Sequence, residues 1–188
     1  MRVISGSLKG RRLSAIKMDD KMKSLRPTTD RIKESLFNIL FGGKFELIIE
    51  KARILDIFAG SGALGLEAIS RGAKFCTFIE KNTACIKILD ANLNTCNIKN
   101  QTKIKRFDAT EFPLNPDQPY NLVFADPPYR ESLGEAAIAS ALASNWISDN
   151  ALIVLEEGEQ KSSLEGFKLE HARRYGDTIL HFFIRSSN

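Results

Sequence analysis

The chain has 188 residues, of which 43% are apolar and 27% are charged, a composition typical of a folded globular protein and unlike that of a disordered one. Its length suits one hydrophobic core, and it has neither an apolar run of about 18 residues nor the apolar core of an N-terminal signal peptide. We therefore expect a cytoplasmic protein with no membrane partner, and we also expect a monomer.

The cysteine and histidine content argues against a metal centre. Cys76, Cys85 and Cys96 are odd in number and form no C-x-x-C pair, and the chain has two histidines, His171 and His181. A zinc site or a Cys–His nucleophile needs partners that this set hardly supplies. We predict that the three cysteines are buried or half-buried thiols and that the protein binds no metal.

Charge is distributed unevenly along the chain, whose formal net charge is +4. Residues 1–33 contain ten Lys or Arg residues against three acidic residues, a net charge of +7, so the remaining residues carry −3. A basic segment attached to a slightly acidic body is typical of a protein that binds a polyanion, most commonly nucleic acid, at one end. A solvated basic tail without a partner is the alternative.

Two elements are predicted within the basic segment. The stretch "RVISGSLKGRRL" contains two short segments separated by Gly6 and Gly10, which favours a small hairpin or an extended arm. A helix follows, with Thr28 or Thr29 as its N-cap and Asp30 in its first turn. Apolar residues recur at helical spacing along it, and Gly42-Gly43 end it.

From residue 52 onward, apolar strands alternate with helical stretches. Strands are predicted at 52–58, 74–80, 102–107, 120–126 and 151–157, and helices at 62–71, 82–94 and 132–144. This order predicts an α/β fold, a Rossmann-like doubly wound sheet that is mostly parallel. Near the C-terminus, Gly176-Asp177 separate two strand-like runs with no room for a helix, which predicts an added antiparallel hairpin.

A glycine-rich turn follows the first of these strands and opens a helix. Gly60, Gly62 and Gly65 have the spacing G-x-G-x-x-G, which in this context predicts a nucleotide-like ligand, although glycines there can also serve tight packing alone. Glu80 ends the next strand, where its carboxylate can accept hydrogen bonds from both ribose hydroxyls of an adenosine. These features fit NAD as well as another adenosine-containing cofactor.

Two further acids narrow the choice of ligand. Asp56 lies where a dinucleotide would place its pyrophosphate, so it would repel that ligand and attract one with an ammonium and a sulfonium group, such as S-adenosyl-L-methionine. Asp56 can also cap the turn through backbone amides, and the two roles are compatible. Asp108 follows the third strand, where it can accept from an adenine amine while the backbone of Ala109 meets the ring edge.

The sequence "DPPY", residues 126–129, ends the fourth predicted strand. Pro127 and Pro128 donate no backbone hydrogen bond and have a fixed φ, so they form a rigid turn that presents carbonyl groups. If Asp126 and the Pro127 carbonyl each accept an N–H of an exocyclic base amine, its nitrogen can pyramidalise and direct its lone pair at a methyl donor. Tyr129 offers a face on which a flipped base can stack, and a surface Pro-rich turn is the alternative reading.

In this order, "DIFAGSGALGLEA", Glu80, "FDA" and "DPPY" resemble the class I S-adenosylmethionine-dependent methyltransferases. Together with "RVISGSLKGRRL" and "LRPTTDRIKESLFNIL", they resemble the bacterial 16S ribosomal RNA guanine-N2 methyltransferases of the RsmD type. The resemblance implies methylation of one guanosine in small-subunit ribosomal RNA, on the 30S subunit or an assembly intermediate. It implies catalytic roles for Asp126, Pro127, Pro128 and Tyr129, and a cofactor site formed by Asp56, Phe58, Ala59, Gly60, Ser61, Gly62, Glu80, Lys81, Asp108, Ala109 and Asp126.

Residues that contact the RNA are also predicted. We assign residues 1–43 to a basic N-terminal extension that faces RNA and residues 44–188 to the methyltransferase domain. The candidate RNA contacts are basic or polar residues of the extension and one residue beside DPPY: Arg2, Lys9, Arg11, Arg12, Arg26, Thr28 and Arg130.

Three alternatives stay open at this point. Asp126 stands where many guanine-N2 enzymes have Asn, which leaves adenine-N6 methylation of a nucleic acid in contention. A nicotinamide oxidoreductase fits the glycine turn, but the chain offers neither a well-placed His nor a Tyr-x-x-x-Lys pair. A non-catalytic RNA-binding module could keep the fold, although an intact DPPY argues against it.

Overall fold

The computed structural model describes residues 1–15, 30–43, 45, 49–128, 133–158 and 163–185. Within these residues the helices are α1 (Asp30–Phe41), α2 (Ala63–Ser70), α3 (Thr83–Cys96) and α4 (Leu133–Ala143), with short 3-10 turns at Ile49–Lys51 and Lys99–Gln101. The strands there are β1 (Arg53–Ile57), β2 (Phe75–Ile79), β3 (Thr102–Lys105), β4 (Tyr120–Ala125), β5 (Ile147–Glu157), β6 (Ser163–Leu164), β7 (Phe167–Tyr175) and β8 (Thr178–Arg185).

The described strands form one sheet in the order β3-β2-β1-β4-β5-β8-β7-β6. The first five are parallel and β8, β7 and β6 are antiparallel, so the predicted Rossmann-like α/β fold with a C-terminal hairpin is confirmed. Two details differ from the prediction. Strand β5 begins at Ile147 rather than 151, with a register shift against β4, and the two-residue strand β6 was not predicted.

The sheet has an apolar core on each face. Side chains of α1, α2 and α3 pack on one face, and α4 packs on the other with the loop before β4. Trp146 lies on the α4 face and is fully buried, with its ring stacked on that of Tyr120 at a centroid distance of 5.7 Å. The three cysteines are free and buried, as predicted.

The N-terminal residues form the small hairpin that the glycine spacing allowed. Arg2 and Arg12 pair in an antiparallel bridge, and the backbone N–H of Val3 donates to Arg11 at 2.9 Å. Val3 and Leu13 point into the same core as α1, α2 and α3. Helix α1 ends before Gly42-Gly43 as predicted, while its proposed N-caps, Thr28 and Thr29, lie outside the described residues. No helix in the described ranges has the length and apolar content needed to cross a membrane.

Candidate active site

Three acidic residues meet where neighbouring strands end. Asp56 is the penultimate residue of β1, Glu80 follows β2, and Asp126 follows β4. The register pairs Ile57 at the end of β1 with Ile79 and with Ala125, which brings these three strand ends side by side. The carboxyl edge of a parallel sheet is where open α/β folds bind their ligands, and here that edge carries several carboxylates.

Asp56 is the buried member of this group. Its side chain is 3% exposed, and its Oδ2 accepts a hydrogen bond from the backbone N–H of Gly65 at 2.9 Å. Burial raises the pKa of Asp56 to about 8, the hydrogen bond from Gly65 opposes the rise, and the charges of Asp126 and Glu80 add to it. The turn-capping role is therefore present, and the predicted attraction to a cationic ligand stays a prediction.

Glu80 joins two segments of the site. Its Oε2 accepts from the backbone N–H of Gly60 at 2.9 Å, and its Oε1 accepts from that of Asn82 at 2.8 Å. Asn82 is also the N-cap of α3, because its Oδ1 accepts from the N–H groups of Ala84 and Cys85. The carboxylate of Glu80 thus holds the glycine-rich turn against the start of α3.

The turn itself has an unusual backbone. Three residues of the turn have positive φ: Phe58 at 61°, Gly60 at 55° and Gly62 at 81°. For Phe58 this is a backbone conformation that non-glycine residues rarely adopt. A Cβ on Gly62 would lie 2.4 Å from Leu89 Cδ1, and one on Gly65 would lie 2.4 Å from Phe78 Cε1. A Cβ on Gly60 would meet no atom nearer than 3.9 Å. Gly62 and Gly65 therefore serve packing, whereas Gly60 faces open space.

Ala59 and Ser61 of the turn form hydrogen bonds with residues of other elements. The backbone N–H of Ala59 donates to the Ile79 carbonyl at 3.1 Å, and the Ser61 carbonyl accepts from Nδ2 of Asn92 at 2.9 Å. Asn92 was not among the sequence-based candidates. The signal was present, since this polar residue stands on the helix face that also carries Leu89, Leu93 and Cys96, all of which are buried.

Asp108 lies in the loop after β3. Its Oδ2 accepts from Lys81 Nζ at 2.9 Å, and its Oδ1 accepts from the backbone N–H and the hydroxyl of Thr110. These bonds, the one from Lys81 first, lower the pKa of Asp108 to about 2. The structure thus joins two predicted cofactor residues, Lys81 and Asp108, in one ion pair, and it buries the neighbouring Ala109.

The described part of the DPPY motif comprises Asp126, Pro127 and Pro128. Pro127 is buried, and its Cγ would lie 3.3 Å from a Cβ on Gly134 of α4. Pro127, which directly follows Asp126 at the end of β4, therefore lies close to the start of α4. Tyr129 and Arg130 lie outside the described residues.

The predicted RNA contacts are only partly described. Arg2, Lys9, Arg11 and Arg12 are all exposed on the N-terminal hairpin, whereas Arg26 and Thr28 lie outside the described residues. The side chains of the bridged pair Arg2 and Arg12 carry like charges on opposite strands, an arrangement that a bound anion would stabilise. Within the described ranges, no group of three or more His, Cys, Asp or Glu side chains is arranged to hold a metal ion.

The donor set fits a cationic adenosine cofactor. Glu80 and Asp108 are carboxylates at successive strand ends, Asp56 lies between Glu80 and Asp126, and Gly60 leaves room for close approach of a ligand to the backbone. A pyrophosphate would meet several acids at this edge, while an ammonium or sulfonium group would be attracted to them. The arrangement suits a reaction that binds a positively charged donor beside a rigid acceptor turn.

Comparison with known proteins gives a consistent picture. The family model described as Conserved hypothetical protein 95 matches residues 1–184. The chain is similar to Ribosomal RNA small subunit methyltransferase D of Escherichia coli (strain K12), with 41% identity over 83% of this chain and 74% of that protein. The protein of the same name from Haemophilus influenzae is 38% identical over 86% of this chain and 80% of its own length. Among solved structures, the Escherichia coli methyltransferase yhhF superposes with a TM-score of 0.84 and 34% identity, over 100% of this chain and 99% of that one.

Proposed function

The chain belongs to the RsmD-type family of ribosomal RNA methyltransferases, and on that premise we propose that it methylates the exocyclic N2 amine of one guanosine in small-subunit ribosomal RNA. The methyl donor is S-adenosyl-L-methionine, and the substrate is RNA within the 30S subunit or an assembly intermediate. The protein acts in the cytoplasm as a monomer. The observation that carries the proposal is the meeting of Asp56, Glu80 and Asp126 at adjoining strand ends beside the glycine-rich turn.

Each strand end has a distinct part in holding the cofactor. Asp56, Phe58, Ala59, Gly60, Ser61 and Gly62 surround the methionyl part, and Asp56 contributes an electrostatic attraction. Glu80, with Lys81 beside it, accepts from the ribose hydroxyls with the acceptor sites that its bonds to Gly60 and Asn82 leave available. Asp108 and Ala109 receive the adenine. When bound, this cofactor supplies an electrophilic methyl group on a sulfonium.

The acceptor turn prepares the base. Guanine N2 is a poor nucleophile because its lone pair is delocalised into the ring. Asp126 and the Pro127 carbonyl accept its two N–H groups and orient the nitrogen toward the donor side, and Tyr129 stacks on the flipped base. Asp126 can also take up the proton that the amine loses, or pass it to water, so no covalent enzyme intermediate is needed. The contribution of this chain is positioning and charge.

The exposed basic hairpin supports an RNA substrate. Arg2, Lys9, Arg11 and Arg12 are exposed on one small hairpin, and phosphate contacts from such residues position a protein on nucleic acid without reading its sequence. Arg26, Thr28 and Arg130 complete the proposed set. Because these contacts are electrostatic, we expect RNA affinity to fall as the salt concentration rises.

The proposal is tested by methylating small ribosomal subunits from a strain that lacks this protein, with radiolabelled S-adenosylmethionine. Digestion and mass spectrometry of the nucleosides should give N2-methylguanosine. N6-methyladenosine instead would show that the Asp at position 126 marks an adenine enzyme, and no incorporation would favour a non-catalytic RNA-binding module.

Variants of the acceptor turn sharpen this test. Asp126→Ala should lower kcat by about 100-fold or more, since it removes one acceptor of the amine, while calorimetry should still detect cofactor binding. Asp117→Asn is the control, because Asp117 is an exposed acid that forms an ion pair with Lys103. Full activity of Asp126→Ala would rule out the proposed role of the turn.

A further inference from the structure

Asn92 connects two parts of the protein to which different ligands are assigned. We propose that Asn92 is a positioning residue that couples the basic hairpin, residues 1–15, to the cofactor-binding turn, residues 58–62, so that RNA and cofactor bind cooperatively. The inference rests on the proposed function for the identity of the two ligands.

Three hydrogen bonds of one buried side chain form the connection. Asn92 Nδ2 donates to the Ser61 carbonyl at 2.9 Å and to the Ser14 carbonyl at 3.0 Å, and Asn92 Oδ1 accepts from the Ser14 N–H at 2.8 Å. The residue is 2% exposed. Both hydrogens of the amide are used, one on each segment, so the side chain cannot rotate to follow one segment without leaving the other.

The turn end of this connection is sensitive to a ligand. Ser61 stands between Gly60 and Gly62, whose backbones both have positive φ, and Gly60 faces the open space that the cofactor would enter. Any adjustment of the Ser61 carbonyl on cofactor binding is transmitted to Asn92. Because a buried amide that loses its partner is costly, the hairpin has to follow or the bond has to break.

The hairpin is also attached to α2. With this second attachment, we expect the hairpin to move as one unit. The Glu67 carboxylate of α2 accepts from the N–H groups of Ile4 and Ser5 at 2.7 and 3.0 Å. The Ser70 carbonyl accepts from Ser7 N–H at 2.7 Å, and a Cβ on Gly6 would collide with that carbonyl. Helix α2 begins directly after the turn. The bonds of the hairpin to α2 and its bonds to Asn92 therefore both connect it to the proposed cofactor site.

These attachments connect the proposed RNA-binding surface of the hairpin to the proposed cofactor site. On its outer side the hairpin exposes Arg2, Lys9, Arg11 and Arg12, the proposed phosphate contacts. On its inner side it bonds to α2 and α3, the helices that flank the turn. Ordering of the turn by cofactor then fixes the orientation of the basic side chains, and by reciprocity RNA on the hairpin favours cofactor binding to the same degree.

The test measures this coupling rather than either affinity alone. Calorimetry gives the Kd of sinefungin, an unreactive cofactor analogue that keeps a cationic centre, with and without saturating unmethylated small subunits. For the wild type we expect subunits to tighten sinefungin binding about fivefold or more. In Asn92→Leu, which keeps the branched shape of the side chain and removes the hydrogen bonds, the ratio should fall to within about twofold of one.

A matched control separates this role from general packing. Asn94→Leu makes the same change two residues further along α3, where the exposed Asn94 side chain donates a hydrogen bond to Asp90 of the same helix, and it should keep the wild-type ratio. A variant that merely destabilises the fold weakens sinefungin binding both with and without subunits, so the ratio of the two Kd values stays unchanged. A wild-type ratio of one, or an unchanged ratio in Asn92→Leu, would overturn the proposal.

A second measurement needs no ligand and stands apart from the proposed function. In Asn92→Leu, hydrogen exchange should accelerate at the Ser14 amide and also at Val3 and Leu13 of the hairpin, whereas Asn94→Leu should leave these amides protected. If Asn92→Leu does not fold, Asn92→Asp keeps the size and the acceptor atom and loses both donors. If the wild type binds neither sinefungin nor subunits, the proposed function fails, while unchanged hairpin exchange in both Asn92 variants would refute the coupling itself.

Discussion

The carboxylate of Asp56 accepts a hydrogen bond from the backbone N–H of Gly65, and the two atoms are 2.9 Å apart in the protein interior. This bond joins the end of β1 to the first turn of α2 across the glycine-rich segment. The same carboxylate lies within the electrostatic reach of Glu80 and Asp126. One acid therefore has a structural bond and a place in the proposed cation site, and its ionisation affects both.

Cofactor binding should depend on pH through Asp56. Its pKa is raised to about 8, chiefly by burial, so below pH 8 most of the ligand-free protein carries this group neutral. A cationic ligand favours the ionised form and lowers the pKa, so binding should release a proton and affinity should rise from pH 6 toward pH 8, then level off. Calorimetry at pH 7 in buffers of different ionisation enthalpy measures the released proton.

The same shift has a consequence for stability. A carboxyl whose pKa is higher in the folded state binds more protons there than in the unfolded chain, so the stability it provides is greatest below pH 4 and is lost as pH rises toward 8. The slope for this single group is at most about 1.4 kcal/mol per pH unit. Urea titrations of the wild type and Asp56→Asn should differ by this slope, and parallel pH profiles would contradict the assignment.

Asp56→Asn should also separate the two roles of this residue, which are its hydrogen bond with Gly65 and its proposed attraction to the cationic cofactor. The amide oxygen can still accept from Gly65, so we expect the variant to fold and, near pH 8, to be more stable than the wild type because a buried charge is removed. Cofactor affinity should fall about tenfold, since the attraction to the cation is lost. Asp90→Asn changes a half-exposed acid of α3 that is paired with Lys99; this variant serves as the control and should bind as the wild type does.

Two glycines of the same motif should respond in different ways to alanine. At Gly65 the helix propensity favours Ala by about 1 kcal/mol, but its Cβ would lie 2.4 Å from Phe78 Cε1 and 2.6 Å from Cys76 Sγ, so overpacking dominates. We expect a net loss of about 1–3 kcal/mol in the free energy of unfolding.

At Gly60 the Cβ meets open space, so the cost in the free protein is that of a positive φ, about 1 kcal/mol. The main effect of Gly60→Ala should be weaker cofactor binding, because the methyl group occupies the approach to the backbone. Denaturation and calorimetry on both variants make the comparison. A larger stability loss for Gly60→Ala than for Gly65→Ala would contradict it.

Removing one charge of the buried ion pair under the hairpin should destabilise the protein more than removing both charges. Lys33 and Glu67 are fully buried with Nζ and Oε2 3.5 Å apart, Lys33 donates to the Arg2 carbonyl at 2.6 Å, and burial lowers the pKa of Lys33. Glu67→Gln leaves a buried ammonium without its anion, and we expect a loss of about 3–5 kcal/mol.

Removing both charges should restore much of that loss. In Lys33→Met/Glu67→Gln the amide oxygen can still accept from the hairpin, and no charge is left uncompensated except that of Arg71, which is partly exposed and donates to Glu67 Oε1. Urea denaturation of the single and double variants forms a cycle. Additive losses in the double variant would mean that the pair is not coupled.

Much of the fold follows from local patterns. Apolar strands alternating with helical stretches predict the parallel sheet, and Asn82, Gly42 and Gly176 are end signals that act within a few residues of themselves. The start of β5 at Ile147 was missed because Ser148, Asp149 and Asn150 are a turn signal in sequence. In the fold these residues continue the strand beyond a register shift against β4, a long-range contact that local composition does not express.

The α/β fold, the proposed ligand-binding edge of the sheet and the motifs placed there can be predicted from local patterns, because strand ends, glycine spacing and the DPPY turn are properties of short segments. The bonding partner of each side chain, by contrast, depends on the packed fold. Asp56 bonds to Gly65, Glu80 spans Gly60 and Asn82, and Asn92 joins Ser14 to Ser61, residues 78 and 31 positions away from it. Such bonds depend on how the helices and the hairpin pack on the sheet, and packing is set by contacts between segments that are distant in the chain.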